Sequence, residues 1–160
     1  MLSTIYTTKN RMTTIEKQYS IILKKIIEPQ TGKKETYGDD LNRLAIKLFG
    51  VKMRGVFPSD KIPKLSDLTP YAILNLDKST ESGSHWIAVA KIPEKNEIIF
   101  YDSFGRSFSK IIPALKNMSM TITNTDKDSE QRIKETNCGA RCLAFLVCFE
   151  QYGWKQAIKI

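Results

Sequence analysis

The 160-residue sequence has little of several residue types: one histidine, three cysteines, six prolines and eight glycines. All three cysteines lie between residues 138 and 148, a distribution that does not suit a secreted disulfide scaffold. No apolar run approaches the roughly 18 residues that a membrane span needs. We therefore expect no membrane partner, and free thiols in a reducing compartment.

Several kinds of site are also missing from the sequence. The spacing C-x3-C-x5-C with one distant histidine matches neither a zinc site nor an iron–sulfur motif. There is no P-loop and no G-x-G-x-x-G that would bind a nucleotide. We therefore expect no metal and no cofactor, which leaves a cysteine nucleophile as the candidate for covalent chemistry.

The charge is clearly positive, with 25 Lys and Arg against 17 Asp and Glu and a net charge of +8. Residues 1–35 carry seven of the basic side chains against three acidic ones, which is half of the net charge. Such an excess favours polyanionic partners, so we expect non-specific DNA binding by this segment. The alternative is that the segment is only a solvated tail.

Apolar spacing divides the chain into a basic N-terminal arm with a helix, residues 1–37, and a domain over residues 38–160. The arm helix is predicted to begin at Thr14 and to end at Pro29, with its apolar face at residues 15, 19, 22 and 26. A second helix is predicted to end at Gly50, with Asp39 or Asp40 as its cap. A loop punctuated by prolines follows it.

Strands are predicted next, in the runs 71–76, 85–92 and 97–103, with a weaker one over residues 118–123. Pro93–Asn96 is predicted to be the loop of a hairpin. The stretch from residue 138 to residue 152 is apolar nearly all round, which is typical of a buried helix. The order predicts an α+β fold, with a small mixed or antiparallel sheet packed against a buried helix.

Cys138 has the most suggestive surroundings of the three thiols. It follows Asn137 directly before the buried helix, so with Asn137 as N-cap it lies in the first helical turn. There the free backbone N–H groups and the helix dipole favour a thiolate. Gly139 would let a substrate backbone approach closely. The alternative is that Cys138 is a small core residue, as we expect of Cys142 and Cys148.

His85 and Asp102 are the candidate partners of this thiol. His85 begins one predicted strand, and Asp102 lies at the far end of the next. Counting outward from the hairpin loop places His85 near Asp102 or one pair beyond it. A carboxylate beside an imidazole fixes its tautomer and supports its cation. Taken singly, a histidine at a strand rim and an aspartate in a turn are the alternatives.

The order of these motifs resembles a known protease family. The chain carries, in order, His85-Trp86, Tyr101-Asp102-Ser103-Phe104-Gly105, Gln131, and Asn137-Cys138-Gly139 with the continuation x-x-Cys142-x-x-Phe145. This arrangement resembles the adenain-type cysteine proteases, the maturation proteases of adenoviruses and related large or satellite DNA viruses. The resemblance covers about residues 39–152. That family shares its fold with the proteases that process ubiquitin-like proteins.

The resemblance implies a papain-like or adenain-like architecture with the nucleophile at the N-terminus of the buried helix. Cys138 would be the nucleophile, His85 its proton partner and Asp102 the orienting carboxylate. Gln131, seven residues before the cysteine, would donate to the oxyanion, and Trp86 would narrow the substrate cleft so that glycine passes most easily.

The resemblance also implies partners and a location. The substrates would be viral capsid or other structural precursor proteins, cleaved in the virion and the infected host cell. DNA would serve as a non-covalent activator.

Two other classes of function stay open at this point. The first is a deconjugating isopeptidase for a ubiquitin-like protein, which would use the same triad with a larger protein-binding face. The second is a basic, non-catalytic nucleic-acid-binding module, although no RNA- or DNA-binding motif is present.

Overall fold

The structure, a computed structural model, describes residues 12–64, 70–81, 85–112, 115, 119–125, 129–132 and 134–160. The first eleven residues of the predicted arm, and Met118 in the predicted last strand, lie outside the described residues. The described chain is α+β, as predicted, with a mixed sheet. None of its helices combines the length and the apolar character that crossing a bilayer requires.

Helices and strands alternate irregularly along the chain. The helices are α1 (Thr14–Ile22), α2 (Glu28–Thr31), α3 (Gly38–Phe49), α4 (Phe108–Ile111), α5 (Cys138–Tyr152) and α6 (Trp154–Ala157). The strands are β1 (Met53–Phe57), β2 (Tyr71–Asn75), β3 (Trp86–Lys91), β4 (Glu97–Tyr101) and β5 (Thr121–Asn124).

The described strands form one five-stranded sheet in the order β1-β2-β3-β4-β5. The two central junctions are antiparallel, and the outer pairs, β1 with β2 and β4 with β5, are parallel. The hairpin predicted around Pro93–Asn96 is confirmed, because β3 and β4 flank that segment and pair antiparallel. Strand β1 lies where the sequence analysis expected only loop.

Alternate residues of β3 enter two separate cores, as the two-residue period of a strand requires. Ala88 and Ala90 belong to the larger core, which holds the apolar residues of α1, α3 and α5. Ile87 and Val89 belong to a smaller core, which also includes Phe100 of β4. Helix α5 is buried from Cys138 to Phe149, which confirms the prediction of a buried helix. It packs directly against β3.

The N-terminal helix is longer and less regular than predicted. A π-helical turn, Leu23–Ile27, joins α1 to α2 and places one extra residue in the helix. The buried stripe therefore moves to Ile27, and Ile26, predicted on the apolar face, is 41% exposed. Pro29 does not end the helix, because it falls in the first turn of α2, where a missing N–H is tolerated. The helix ends at Gly32, at a φ of 74°.

This helix contributes to the same core as the rest of the chain. Its buried side chains contact the larger core cluster, which also contains α5 and the sheet: Ile15, Tyr19, Ile22, Leu23 and Ile27. In the described chain, residues on both sides of the predicted boundary after residue 37 therefore contribute to one core.

Helix α3 stops at Gly50, as predicted, but its cap differs. The residue at the N-cap position is Tyr37, and no side chain caps the helix there. Asp39 and Asp40 lie inside the first turn instead, where a carboxylate still interacts favourably with the helix dipole.

Candidate active site

His85 and Asp102 meet at the end of the β3–β4 hairpin. Ala88 pairs with Tyr101, and continuing this register places His85 two residues beyond the position opposite Asp102. The offset is slightly larger than the count from the loop suggested, yet the side chains still meet: His85 Nε2 lies 2.6 Å from Asp102 Oδ1. Both residues are buried, at 6% and 2% exposure.

The Asp102 carboxylate is held by a tight turn that follows β4. Its Oδ1 accepts from the backbone N–H of Phe104 at 3.1 Å, and its Oδ2 accepts from Arg106 Nε at 2.7 Å. Burial alone would raise the pKa of Asp102, but the hydrogen bonds from His85 and Arg106 outweigh it and hold the pKa below its ordinary value. The carboxylate is therefore ionised at neutral pH.

Cys138 completes a line of three side chains. It is the first residue of α5 and is buried, and it lies close enough to His85 to raise the pKa of the imidazole. Since Asp102 occupies Nε2 of the imidazole, Nδ1 is the nitrogen left for the thiol. The three residues that the sequence analysis named as a triad are thus brought together in the order Cys138, His85, Asp102.

The charge state of His85 follows from these neighbours. Burial lowers the pKa of His85, but the hydrogen bonds to Asp102 and Cys138 and the attraction of both groups for the imidazolium outweigh that effect. The pKa of His85 is therefore raised above its ordinary value. An imidazole with this bias is well suited to accept a proton from a thiol.

Gln131 is buried and contacts Ser103, the residue that follows Asp102. Its Oε1 accepts from Ser103 Oγ at 2.6 Å, and its Nε2 donates to the carbonyl of Glu135. A carbonyl can only accept, so these partners fix which end of the amide is which. The Gln131 backbone N–H also donates to the Ser103 carbonyl at 3.0 Å. The Nε2 group carries two hydrogens, of which one is donated to Glu135. The second is the kind of donor that a negatively charged oxygen would need.

The N-terminus of α5 is arranged differently from the expected cap. Asn137 occupies the N-cap position, as predicted, but its side chain makes no capping hydrogen bond. Its Oδ1 accepts instead from Arg141 Nε at 3.0 Å. The first-turn N–H groups, including that of Cys138, therefore receive no partner from this side chain and can face a developing anion.

A buried network around Arg141 was not anticipated from the sequence. Arg141 donates to the Tyr19 hydroxyl at 3.3 Å and to Glu135 Oε2 at 3.2 Å. Tyr19 lies 2.7 Å from the hydroxyl of Tyr101, which precedes Asp102. The clue in the sequence was an arginine within the apolar run of α5, since a buried cation has to be paired.

Trp86 forms one wall of the site, next to His85. Its indole Nε1 donates to the carbonyl of Thr36 at 3.1 Å, which ties β3 to the segment before α3. The ring also lines a groove of about 380 Å³ whose charged residues are mostly acidic. Those residues are Asp39, Asp77 and Glu81, with Lys78.

Gly139 packs closely against other parts of the protein. A Cβ at this position would lie 3.3 Å from the Trp86 ring and 3.4 Å from the methyl groups of Leu41. Glycine is therefore favoured here because it lets α5 pack closely on Trp86 and α3. Its role toward a substrate backbone stays a prediction.

Comparison with known proteins adds no further information about this site. No protein-family model and no curated protein matches the chain. Within the described residues, no group of three or more His, Cys, Asp or Glu side chains is arranged to hold a metal ion. A function therefore has to be argued from the geometry of the chain's own residues.

Proposed function

We propose that the chain is a cysteine endopeptidase that uses Cys138, His85 and Asp102 as its catalytic triad. The observation that carries the proposal is the buried His85–Asp102 hydrogen bond, with the Cys138 thiol close enough to the imidazole to raise its pKa. This is the arrangement that activates a thiol nucleophile. A structural cysteine in the core has no need of a histidine and an aspartate aligned behind it.

The mechanism follows from the positions of the groups. His85 takes the thiol proton on Nδ1, and the thiolate of Cys138 attacks the scissile carbonyl carbon. The carbonyl oxygen becomes an oxyanion, stabilised by the Cys138 backbone N–H and the Gln131 amide. As the C–N bond breaks, His85 returns the proton to the leaving amine. A water molecule, deprotonated by His85, then hydrolyses the acyl-enzyme and releases the thiol.

The papain-like or adenain-like architecture is part of the same proposal. It is supported by a cysteine at the first residue of a buried helix that packs against β3, the strand that directly follows the histidine. The order of the sequence motifs points the same way. We infer that the substrates are viral capsid or other structural precursor proteins, cleaved during maturation in the virion and the infected cell.

A preference for glycine near the cut follows from Trp86. Its ring is held by Thr36 and by close contact with Gly139, the residue after Cys138. A peptide backbone can pass beneath a fixed indole only where it carries no side chain that would clash. We therefore expect efficient cleavage of short peptides with glycine around the scissile bond.

The test compares Gly-containing capsid-derived peptides with intact ubiquitin-like fusion proteins at equal concentration. Wild-type chain and Cys148→Ala, which alters a thiol deep in α5, should both cleave the peptides, and Cys138→Ala should not. Cleavage of the folded fusions with negligible peptide cleavage would identify a deconjugating isopeptidase instead, because such an enzyme draws its binding energy from a remote surface. Cleavage of neither class would overturn the proposal in favour of a non-catalytic module.

A further inference from the structure

The Asp102 carboxylate has two basic neighbours, one at each oxygen. His85 Nε2 lies 2.6 Å from Oδ1, and Arg106 Nε donates to Oδ2 at 2.7 Å. The backbone N–H of Arg106 adds a second hydrogen bond to Oδ2 at 3.2 Å. The carboxylate itself has no exposed side-chain surface, so its charge is balanced by these protein groups.

The local backbone explains how Arg106 reaches this position. The Gly105 N–H donates to the Asp102 carbonyl at 2.8 Å, and Gly105 has a φ of 69°, in the region that favours glycine. The turn brings Arg106 back over Asp102. The Arg106 guanidinium also lies 5.2 Å from the centre of the Phe104 ring, and that ring lies 4.9 Å from the His85 ring. Arg106 therefore contacts both supports of the histidine.

We propose that Arg106 is a positioning residue of the site, which holds the Asp102 carboxylate in the orientation that receives His85 and shares its negative charge. The catalytic consequence of this inference rests on the proposed function, whereas the effect on His85 does not. Nothing in the motif order assigns a role to position 106.

Charge sharing has a defined direction. The guanidinium partly neutralises the carboxylate that stabilises the imidazolium, and it also repels the imidazolium directly. Removing its charge therefore raises the pKa of His85. The other described groups that act on the imidazole are Cys138, by its hydrogen bond, and Phe104, by ring contact. Cys142 lies near Asp102 but stays neutral, because burial and the nearby Cys138 and Asp102 raise its pKa.

The single histidine makes this effect directly measurable in the full-length protein. An NMR titration shows one imidazole, and its midpoint can be read in each variant without assignment. We expect Arg106→Gln to raise the midpoint by about half a unit or more, as loss of a nearby charge does. Arg106→Lys keeps the charge and should leave the midpoint near that of the wild type.

Kinetics give the second measurement. Arg106→Gln should lower kcat about tenfold with little change in KM, because the residue orients the triad without touching substrate. The alkaline limb of the pH profile of kcat should move to higher pH in this variant, together with the NMR midpoint. Arg106→Lys should recover part of kcat. Arg54→Gln, an exposed position on β1, removes the same charge elsewhere and should change neither quantity.

The outcomes separate this inference from the proposed function. Arg106 is largely at the surface, and thermal melts will verify that each variant folds. An unchanged His85 midpoint in folded Arg106→Gln would overturn the inference, and so would equal shifts in the Gln and Lys variants. If the midpoint shifts in Arg106→Gln but the wild-type protein cleaves no substrate, the charge sharing is retained and only the protease is rejected.

Discussion

The three thiols of α5 occupy different environments, although they share one helix. Burial raises the pKa of Cys148 to about 12, and burial with the nearby Cys138 and Asp102 also raises the pKa of Cys142 well above its ordinary value. Cys138 stands at the helix N-terminus and interacts with His85. The chemical difference between the proposed nucleophile and two core residues therefore depends on position along the helix.

Brief treatment with iodoacetamide near neutral pH should therefore alkylate Cys138 first. The other two thiols are protonated and enclosed, so they should react only when the protein opens. Peptide mapping after short exposures gives the three rates separately. His85→Ala provides the control, because it should slow the labelling of Cys138 and leave the others unchanged. Equal labelling of all three in the native protein would contradict the assignment of the nucleophile.

The Gln131 amide links Ser103 to Glu135, and in the proposed mechanism it also donates to the oxyanion. Gln131→Ala should lower kcat by roughly 10- to 1000-fold, the range for loss of one oxyanion donor. It should also lower the free energy of unfolding by about 1–3 kcal/mol, because Ser103 and Glu135 lose a buried partner. Gln151→Ala, at an exposed position, is the matched control. Unchanged kcat in Gln131→Ala would show that the oxyanion is held elsewhere.

At the scale of elements, the N-terminal helix is tied to the site through one hydroxyl. Tyr19 contacts Tyr101, which precedes Asp102, and Arg141, which holds the residue before Cys138. Burial raises the pKa of Tyr19 above its usual range, so the hydroxyl keeps its proton. Helix α1 thereby braces the carboxylate end and the nucleophile end of the triad together.

Tyr19→Phe removes this brace and leaves the ring in the core. We expect the free energy of unfolding to fall by about 1–3 kcal/mol, because Arg141 and Tyr101 each lose a buried partner. The kcat of the proposed protease should fall as well. Denaturant unfolding and peptide cleavage measure the two effects. Tyr152→Phe removes the other hydroxyl bond between the same helices, at an exposed site, and should change little. Equal effects of both variants would argue against the brace.

How far the sequence could predict these elements depends on the range of the interactions. Helix α5 and the β3–β4 hairpin follow from local patterns, and the hairpin alone brings His85 near Asp102. Strand β1 has no such pattern, because it is defined by parallel pairing with β2 across an intervening loop. The shift of the buried stripe to Ile27 depends on a π-helical turn that no residue type predicts. The site was therefore more predictable than the sheet edge.

The same limit applies to residues whose role depends on the contacts that the fold gives them. The sequence shows that Gly139 permits a close approach, but only the fold shows that Trp86 and Leu41 pack against it. Arg106 has no motif that marks it, since its contact with Asp102 depends on the turn that Gly105 makes. In both cases the missing information is the partner of a residue, which local sequence does not specify.

At the scale of the whole molecule, the net charge of +8 is unevenly spread. The described part of the N-terminal helix and the segment after it present exposed basic side chains, namely Lys17, Lys24, Lys25, Lys33 and Lys34. The same helix buries its apolar face against α5. Deleting the basic segment would thus also damage the core, so a test of its charge has to substitute side chains and keep the helix.

We expect the protein to bind DNA without sequence preference, through these lysines, and DNA to stimulate the proposed protease. Affinity should fall steeply as salt rises, since each phosphate contact releases counterions. Replacing Lys24, Lys25, Lys33 and Lys34 with Gln should reduce the slope of log affinity against log salt by roughly one for each phosphate that the variant no longer neutralises. Lys61, Lys64, Lys78 and Lys110, which are exposed elsewhere in the chain, are replaced with Gln in a second variant that removes the same number of charges and controls for net charge. Fluorescence anisotropy over a salt series, with peptide cleavage in parallel, measures both properties. A slope that is equal in the two sets of variants would show that the basic segment is only a solvated surface.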